Sequence, residues 1–292
     1  MTHPARTRRG AVTLAALLAV FLLRPAPTTP VEGTPAVRLP ILMYHHLLKD
    51  ASRHNPYTIA PADFAADLDW LLSEGYQPIT MAELLRWSRG EGSLPLKPVM
   101  ITFDDGYESF YEYAWPILRE RNCPAVFSVI GREADRYTEQ EDHHISYSHC
   151  SWPQLQELAA SGLVELQNHS YDLHTYEQSG QQGAKRVAGE PVERYQGRLE
   201  EDVGRMQRLL RDWCGAEATT FTYPFGSISP EALPVLQEMG FSAALTCRGQ
   251  VNLLTGDPAE LYTLGRFNRP AGKTARQIFE EAGLAGEESG VK

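Results

Sequence analysis

Two adjacent carboxylates, Asp104 and Asp105, end an apolar run that reads PVMITFDDG over residues 98–106. Successive side chains of an extended chain point to opposite sides, so the pair can divide two tasks instead of sharing one proton, one acid holding a metal while the other moves protons. In isolation D-D-G is also an ordinary turn with solvated acids. His169 and His174 stand in NHSYDLH with four residues between them. Five positions along a helix would place them about 140° apart, so a joint ligand role needs a loop. Added to Asp105 they make two imidazoles and one carboxylate, a donor set that suits Zn²⁺ or another first-row divalent ion with positions left for water and substrate. Two histidines at this spacing alone read as ordinary surface residues; an Asp-Asp-Gly at a strand end makes the metal reading the better one. His45 and His46 close a second apolar run, ILMYHH over 41–46.

These side chains need elements that gather separate stretches of chain. Residues 99–103 are short, β-branched and bounded by Pro98 and Gly106, the signature of a buried strand opening onto a turn. Residues 41–44, 124–129, 163–166, 220–223 and 241–245 read as further strands. Apolar residues at helical spacing mark helices over 61–73, from Thr80 with Glu83 completing a capping box, and over 107–121, 151–161, 199–210 and 230–239. Ser151 and Ser229 are the expected N-caps of two of them. Residues 131–150 and 175–191 read as polar insertions, with His143, His144 and His149 as solvated loop histidines in the first. Strands alternating with helices call for a parallel sheet, open or closed into a barrel. His45, the Asp104 and Asp105 pair, His169 and Pro224-Phe225-Gly226 each follow a strand, and in α/β barrels the C-terminal strand ends form the active face. One shared site explains these four placements better than chance does.

With 292 residues the chain is long enough for one large α/β domain or two small ones. Lys and Arg number 27 against 37 Asp and Glu, a formal −10, which argues against nucleic acid and favours a neutral or cationic substrate. Residues 1–23 carry Arg6, Arg8 and Arg9 and then an apolar stretch too short for a comfortable span of about 20 residues. They read as a signal peptide or N-terminal anchor, followed by a Pro/Thr-rich linker over 24–38. Arg24-Pro25 interrupts any small-x-small cleavage site, which leaves an uncleaved anchor and membrane attachment open. The expected setting is export, to the cell surface or beyond. Four cysteines, Cys123, Cys150, Cys214 and Cys247, could make two disulfides there, while Cys123 reads equally as a small buried hydrophobe.

TFDDG at 102–106, HSYDLH at 169–174 and YPFG at 223–226 resemble, in that order, the first three motifs of the polysaccharide deacetylases, the chitooligosaccharide-deacetylase homology domain of carbohydrate esterase family four. The resemblance covers roughly residues 39–270. ILMYHH and the longer histidine spacing are similar to its circularly permuted branch, which includes poly-N-acetylglucosamine deacetylases. It implies an α/β fold, a distorted (β/α) barrel of about seven parallel strands, with the domain expected over 39–285 and a monomer as its state. It further implies Asp104 as catalytic base, and Asp105, His169 and His174 as ligands of a divalent metal, Zn²⁺ first with Co²⁺ or Ni²⁺ as alternatives. His45 would be the general acid, its ordinary pKa near about 6.5 suiting that task. The Phe225 N–H would meet the oxyanion, with Tyr223 beside it at the substrate end. Two departures stand out. The arginine that many members carry in the third motif is missing, Thr222 standing two residues before Pro224, and Arg266 in LGRF is the candidate substitute, grouped with the oxyanion and substrate residues. No histidine follows His174, so the acid role falls to His45, with His46 as its rival.

The activity so implied is metal-dependent de-N-acetylation, by water, of an N-acetylglucosamine-containing surface polysaccharide: poly-N-acetylglucosamine, peptidoglycan or a chitin-like glycan. A metal-dependent O-acetyl esterase would use the same parts. A glycan-binding module with a spent site would keep the fold, but retention of both acids and both histidines speaks against it. Iron(II) oxygenases share the two-histidine, one-carboxylate set but build it on a double-stranded β fold that alternating strands and helices do not provide.

Overall fold

Ile41–Tyr44 (β1) and Pro98–Phe103 (β2) are buried along their whole length, with no polar alternation, as strands covered on both faces must be. Ala125–Val129 (β3), Val164–Asn168 (β4), Thr220–Thr222 (β5), Ala243–Leu245 (β6) and Phe267–Asn268 (β7) join them. All pairings among these seven are parallel, in the spatial order β6-β5-β4-β3-β2-β1-β7. This is the parallel sheet that the alternation called for, curled into the distorted barrel of about seven strands that the resemblance implies. The computed structural model describes residues 36–176 and 182–284. The expected signal or anchor over 1–23 and the linker up to 35 lie outside them, and among the described residues no helix is long and apolar enough to cross a membrane. The last linker residues already belong to the fold, since Val37–Leu39 pairs antiparallel with Asn252–Leu254.

Parallel neighbours need long crossovers, and helices supply them. Pro61–Ser73 (α1) and Met81–Ser88 (α2) lie between β1 and β2, Trp115–Glu120 (α3) between β2 and β3, and Gly131–Gln140 (α4) and Trp152–Ala160 (α5) between β3 and β4. Val192–Cys214 (α6) precedes β5, Ala232–Glu238 (α7) precedes β6, and Ala275–Glu281 (α8) follows β7. Strand alternation divides the core in two. Val99, Ile101 and Phe103 pack outward with Phe64, Leu68 and Phe110. Met100 faces inward with Ile41, Val126, Ala243, Leu245 and Leu264, and α2 closes that end with Met81, Leu84 and Leu85. Glu165, also inward, accepts the Met81 N–H at 2.7 Å and so caps α2 from inside the barrel. Higher up, the interior turns polar: Ser128 and Thr222 hydroxyls meet at 2.7 Å, and Thr102 donates to the Leu42 carbonyl at 2.8 Å.

One short segment touches both sheet edges. Leu264 bridges to Leu245 of β6, and Phe267–Asn268 pairs with β1. It is pinned on both faces: Arg266 points into the barrel, while Arg269 points out and binds Asp67 at 2.7 Å, whose other oxygen accepts the Ala275 N–H at the start of α8.

Several local expectations need correction. Residues 131–140 form α4 instead of loop; only Gly131, Ala134 and Tyr137 of that helix are buried, too few to write a helical period. The helix expected over 107–121 forms as one run over 108–120, its Phe110–Ala114 stretch wound as a π-helix ahead of α3 because Pro116 cannot donate to the turn before it. The Ser229 hydroxyl accepts from the Arg186 N–H instead of capping α7. The box at Thr80/Glu83 forms as expected, and Ser151, the expected N-cap of α5, forms a box with Gln154. All four cysteines are free, Cys123 and Cys150 among the buried residues.

Candidate active site

Beyond β2 the inward face continues from Met100 and Thr102 to Asp104, which is 2% exposed. Arg266 meets it inside the barrel with two parallel bonds, Nη1 to Oδ1 and Nη2 to Oδ2, both 2.7 Å. Its Nε donates to the Thr246 carbonyl at 2.9 Å, and Nη1 also reaches Thr102 Oγ1 at 3.2 Å. With every guanidinium nitrogen engaged and 0% exposed, Arg266 cannot touch a substrate, which corrects its grouping with the oxyanion and substrate residues; what it touches is Asp104. Burial alone would raise the Asp104 pKa, but the guanidinium charge and its hydrogen bonds hold it below the usual carboxylate range. Gly265 makes the approach possible: a Cβ there would lie 2.6 Å from the Arg248 carbonyl. The Asn252 side chain grips the Gly265 peptide from both sides, at 2.8 and 2.9 Å.

Asp105 turns the other way, its φ of 72° in the left-handed region that Asp tolerates better than most residues. Its Oδ1 lies 3.4 Å from His169 Nε2 and 3.2 Å from His174 Nε2. His169 Nδ1 is 2.8 Å from the Thr222 carbonyl. A carbonyl only accepts, so Nδ1 carries the proton and Nε2 turns a lone pair toward Asp105. Asp105 Oδ1 is buried without a hydrogen-bond partner, and two electron-rich atoms at this range repel unless positive charge lies between them. Charges respond accordingly. Burial would raise the Asp105 pKa, yet the imidazoles hold it far below its usual value. Burial would lower His169, yet Asp105 and Asp104 hold it above, while burial lowers His174. One ligand atom from each of Asp105, His169 and His174 lies within 4.8 Å of the others. Two imidazole nitrogens and a carboxylate oxygen converging on a place that favours positive charge fit a divalent ion.

The loop carrying the histidines is held by groups that no motif announced. Asn168 Oδ1 accepts the Ser170 N–H at 2.8 Å, where Ser170 has a φ of 75°. Asp202 of α6 accepts the N–H groups of Tyr171 and Asp172, each at 2.8 Å. Burial pushes the Asp202 carboxyl up to about 6 despite those amides. The sequence signal for Asp202 is slight: an acid on the flank of the apolar stripe Leu199, Val203, Met206 and Leu210.

Phe225 has a φ of 58°, unusual for a bulky residue and a mark of strain held by its surroundings. Its ring packs against His174 and Tyr176, centroids 4.2 and 4.3 Å away, and its N–H finds no backbone acceptor among the described residues. Gly183, from the second polar insertion, approaches so closely that a Cβ would lie 2.6 Å from the Pro224 carbonyl. Tyr223 goes elsewhere. Its ring is 2% exposed in the helix-side core, edge-on to Phe221, because its position on the strand continues the outward face. It does not line a substrate path, contrary to its expected place beside Phe225.

His45 and His46 part as neighbours on an extended chain do. His45 sits edge-on to Tyr57, its Nδ1 buried and unpartnered. Burial lowers its pKa below 6.5, although Asp105 and Asp104 both pull it up. His46 bonds Ser109 Oγ through Nδ1 at 2.7 Å and stacks on Tyr107; burial takes it down to about 4. His143 and His144 are exposed, as loop residues should be, but His149 is not: it is sandwiched between Tyr107 and Tyr137 and pushed down to about 4 by burial.

The chain and its fold have counterparts among known proteins. A family model described as polysaccharide deacetylase matches residues 91–244. The chain is 28% identical over 222 residues to the poly-beta-1,6-N-acetyl-D-glucosamine N-deacetylase of Escherichia coli (strain K12), covering 70% of this chain and 33% of that protein. It is 26% identical over 184 residues to the enzyme of the same name from Staphylococcus aureus (strain N315), covering 63% and 59%. The chain thus spans a third and about three fifths of these two relatives. Among solved structures, IcaB from Ammonifex degensii superposes with a TM-score of 0.68 at 31% identity, over 86% of this chain and 97% of that one. A de-N-acetylase from Aggregatibacter actinomycetemcomitans shares the fold with a TM-score of 0.72 at 24% identity, over 84% and 99%.

Proposed function

Because the chain belongs to the polysaccharide deacetylase family, we propose that it hydrolyses the acetamide of N-acetylglucosamine units in a poly-N-acetylglucosamine-type polysaccharide, at the centre formed by Asp104, Asp105, His169 and His174. The observation that carries this reading is the contrast between two adjacent acids: Asp104 is locked to Arg266, and Asp105 faces two imidazoles. The printed names of the relatives support an amide of glucosamine as the bond attacked.

Asp105, His169 and His174 would hold the divalent ion, zinc first because this nitrogen and oxygen set suits it. Such an ion supplies Lewis acidity toward the acetyl carbonyl and lowers the pKa of a water. Asp104, kept ionised by Arg266, accepts the proton of the attacking water. The Phe225 N–H, without a backbone acceptor among the described residues, donates to the oxygen on which charge develops. His45 donates a proton to the leaving amine; a ring whose pKa is pushed down is the stronger acid whenever it carries its proton. Residues 1–23 as a signal or anchor, export toward a surface glycan, and a monomeric state belong to the same reading.

Acetate release from a β-1,6-linked N-acetylglucosamine oligomer tests it. Release that stops with a chelator and returns with zinc is the expected result. Acetate released from O-acetylated glycans alone would overturn the amide assignment, and release indifferent to chelation would overturn the metal.

A further inference from the structure

Asp67 is an acid on the buried stripe of α1, in line with Phe64, Leu68 and Leu71, and it is 3% exposed. An acid so placed needs partners, and it gathers them from three separate elements. Its Oδ2 accepts from Arg269 Nε at 2.7 Å and from the Tyr44 hydroxyl at 3.2 Å. Its Oδ1 accepts from the Ala275 N–H at 2.9 Å and from Arg269 Nη2 at 3.3 Å. Replacing a buried ion pair by apolar groups of similar size is often neutral in stability, so the pair is weak evidence for a stabilising role; fixing a register is the better-attested use.

There is a register to fix. β7 pairs with β1 over only two residues, Phe267 beside Leu42 and Asn268 beside Met43, and the Arg269 N–H then donates to the Met43 carbonyl at 3.0 Å. In so short a ladder a slip of one residue is opposed by few bonds, yet it turns every side chain of the segment to the other face. Arg266 would leave the interior, where its two bonds hold Asp104. Arg266 and Arg269 are three positions apart, so an extended chain sends them to opposite faces, and anchoring the outer one keeps the inner one in place. Tyr44 brings in the remaining strand: its carbonyl accepts the Asp104 N–H at 3.0 Å while its hydroxyl goes to Asp67. Both members of the Arg266 and Asp104 pair therefore hang on backbone that Asp67 grips from the helix side of the sheet.

We propose that Asp67 is a positioning residue for the hydrolysis: through Arg269 and Tyr44 it holds β7 in the one register that presents Arg266 to Asp104. The inference rests on the deacetylase reading and deepens it. Asp67 lies among the outward-packed side chains with Phe64 and Leu68, on the face of the sheet opposite Asp104, so its loss should show in how the base is aimed and not in how substrate or metal is bound.

Two variants of the full chain test it. In Asp67→Asn, kcat for acetate release should fall roughly 10²-fold, as small misplacements of reacting groups do, while KM and metal content change less than about 2-fold. That variant leaves Arg269 buried without a charge partner, so a second, Tyr44→Phe/Asp67→Leu/Arg269→Met, removes the polar knot as a unit; it should keep a cooperative melting transition and lose kcat alike. Hydrogen exchange reads the register without turnover. Arg266 Nε donates to the Thr246 carbonyl at 2.9 Å, and Trp152 Nε1 donates to Asp135 at 2.8 Å on the α4 and α5 side of the fold. In both variants exchange at Arg266 Nε should speed roughly 10-fold or more relative to Trp152 Nε1. Exchange that keeps pace at the two sites, or full kcat in a folded variant, overturns the proposal. Loss of fold in both variants overturns it too, since Asp67 would then act on stability alone. Absence of acetate release by the unmodified protein would strike the deacetylase reading, and the exchange ratio would still decide whether Asp67 holds Arg266 in place.

Discussion

Arg266 and Asp104 lie 162 residues apart in the chain and meet inside the barrel in a two-pronged pair, both bonds 2.7 Å. Arg266 sits on the segment that touches both sheet edges, so closing the barrel and orienting the proposed base are one structural event. Breaking the pair should therefore show in stability and in activity together.

Arg266→Met leaves the Asp104 carboxylate buried without its partner. Removing one member of a buried pair costs about 3–5 kcal/mol. Arg266→Lys keeps the charge but not the fork that binds both oxygens, so it should recover part of the stability while turnover stays low. Thermal unfolding and acetate release check this, and a Lys variant with full turnover would remove the orienting role.

The two acids should separate in a metal assay. Asp104→Asn should retain zinc and lose turnover, whereas Asp105→Asn and His174→Ala each delete a candidate ligand and should lose both. Metal analysis of the purified variants decides it. Equal metal loss from the Asp104 and Asp105 variants would mean that the division of labour is misassigned.

His45→Ala should distinguish leaving groups. An amine departs poorly without a proton, while an activated aryl alcohol leaves unaided. The variant should lose roughly 10²- to 10⁴-fold on an N-acetylated sugar, far less on an aryl acetate, and keep its metal. Equal losses on both substrates would make His45 a positioning residue, and a loss seen only in His46→Ala would move the acid role to its neighbour.

Acid should weaken the fold through the stacked rings. His46 and His149 have pKa values of about 4 when folded, pushed down by burial, against about 6.5 in an unfolded chain. The unfolded chain binds more protons between those values, so this contribution is complete above about pH 6.5 and is lost as pH falls toward 4, at most about 3 kcal/mol for each ring. His149→Phe, which keeps the stack, should flatten the fall in melting temperature between pH 6.5 and 4.5. An unchanged slope would show that His149 is not held neutral by burial.

What the chain determines by itself is local. Apolar β-branched runs such as 98–103 make buried strands because backbone and side chains satisfy themselves only between covered faces, and the Thr80 and Ser151 capping boxes close among residues three apart. Strand alternation with helices is enough for a parallel sheet, open or closed, and polar residues at strand ends point to one face. The resemblance of three motifs supplied the family.

Tertiary structure decided the rest. A run of residues carries no period that tells which distant strand will lie opposite. That Arg266 reaches Asp104 and not a substrate, that Tyr223 faces the core while Phe225 faces His174, and that Asp202 clamps the histidine loop all follow from barrel curvature. Polar α4 and half-buried His149 escape a reading of the sequence for the same reason: their apolar partners come from other segments, Tyr107 for His149 and Trp152 beside Asp135 for α4. Burial and hydrogen-bond partners depend on who arrives from far along the chain, and only the curled sheet brings them together.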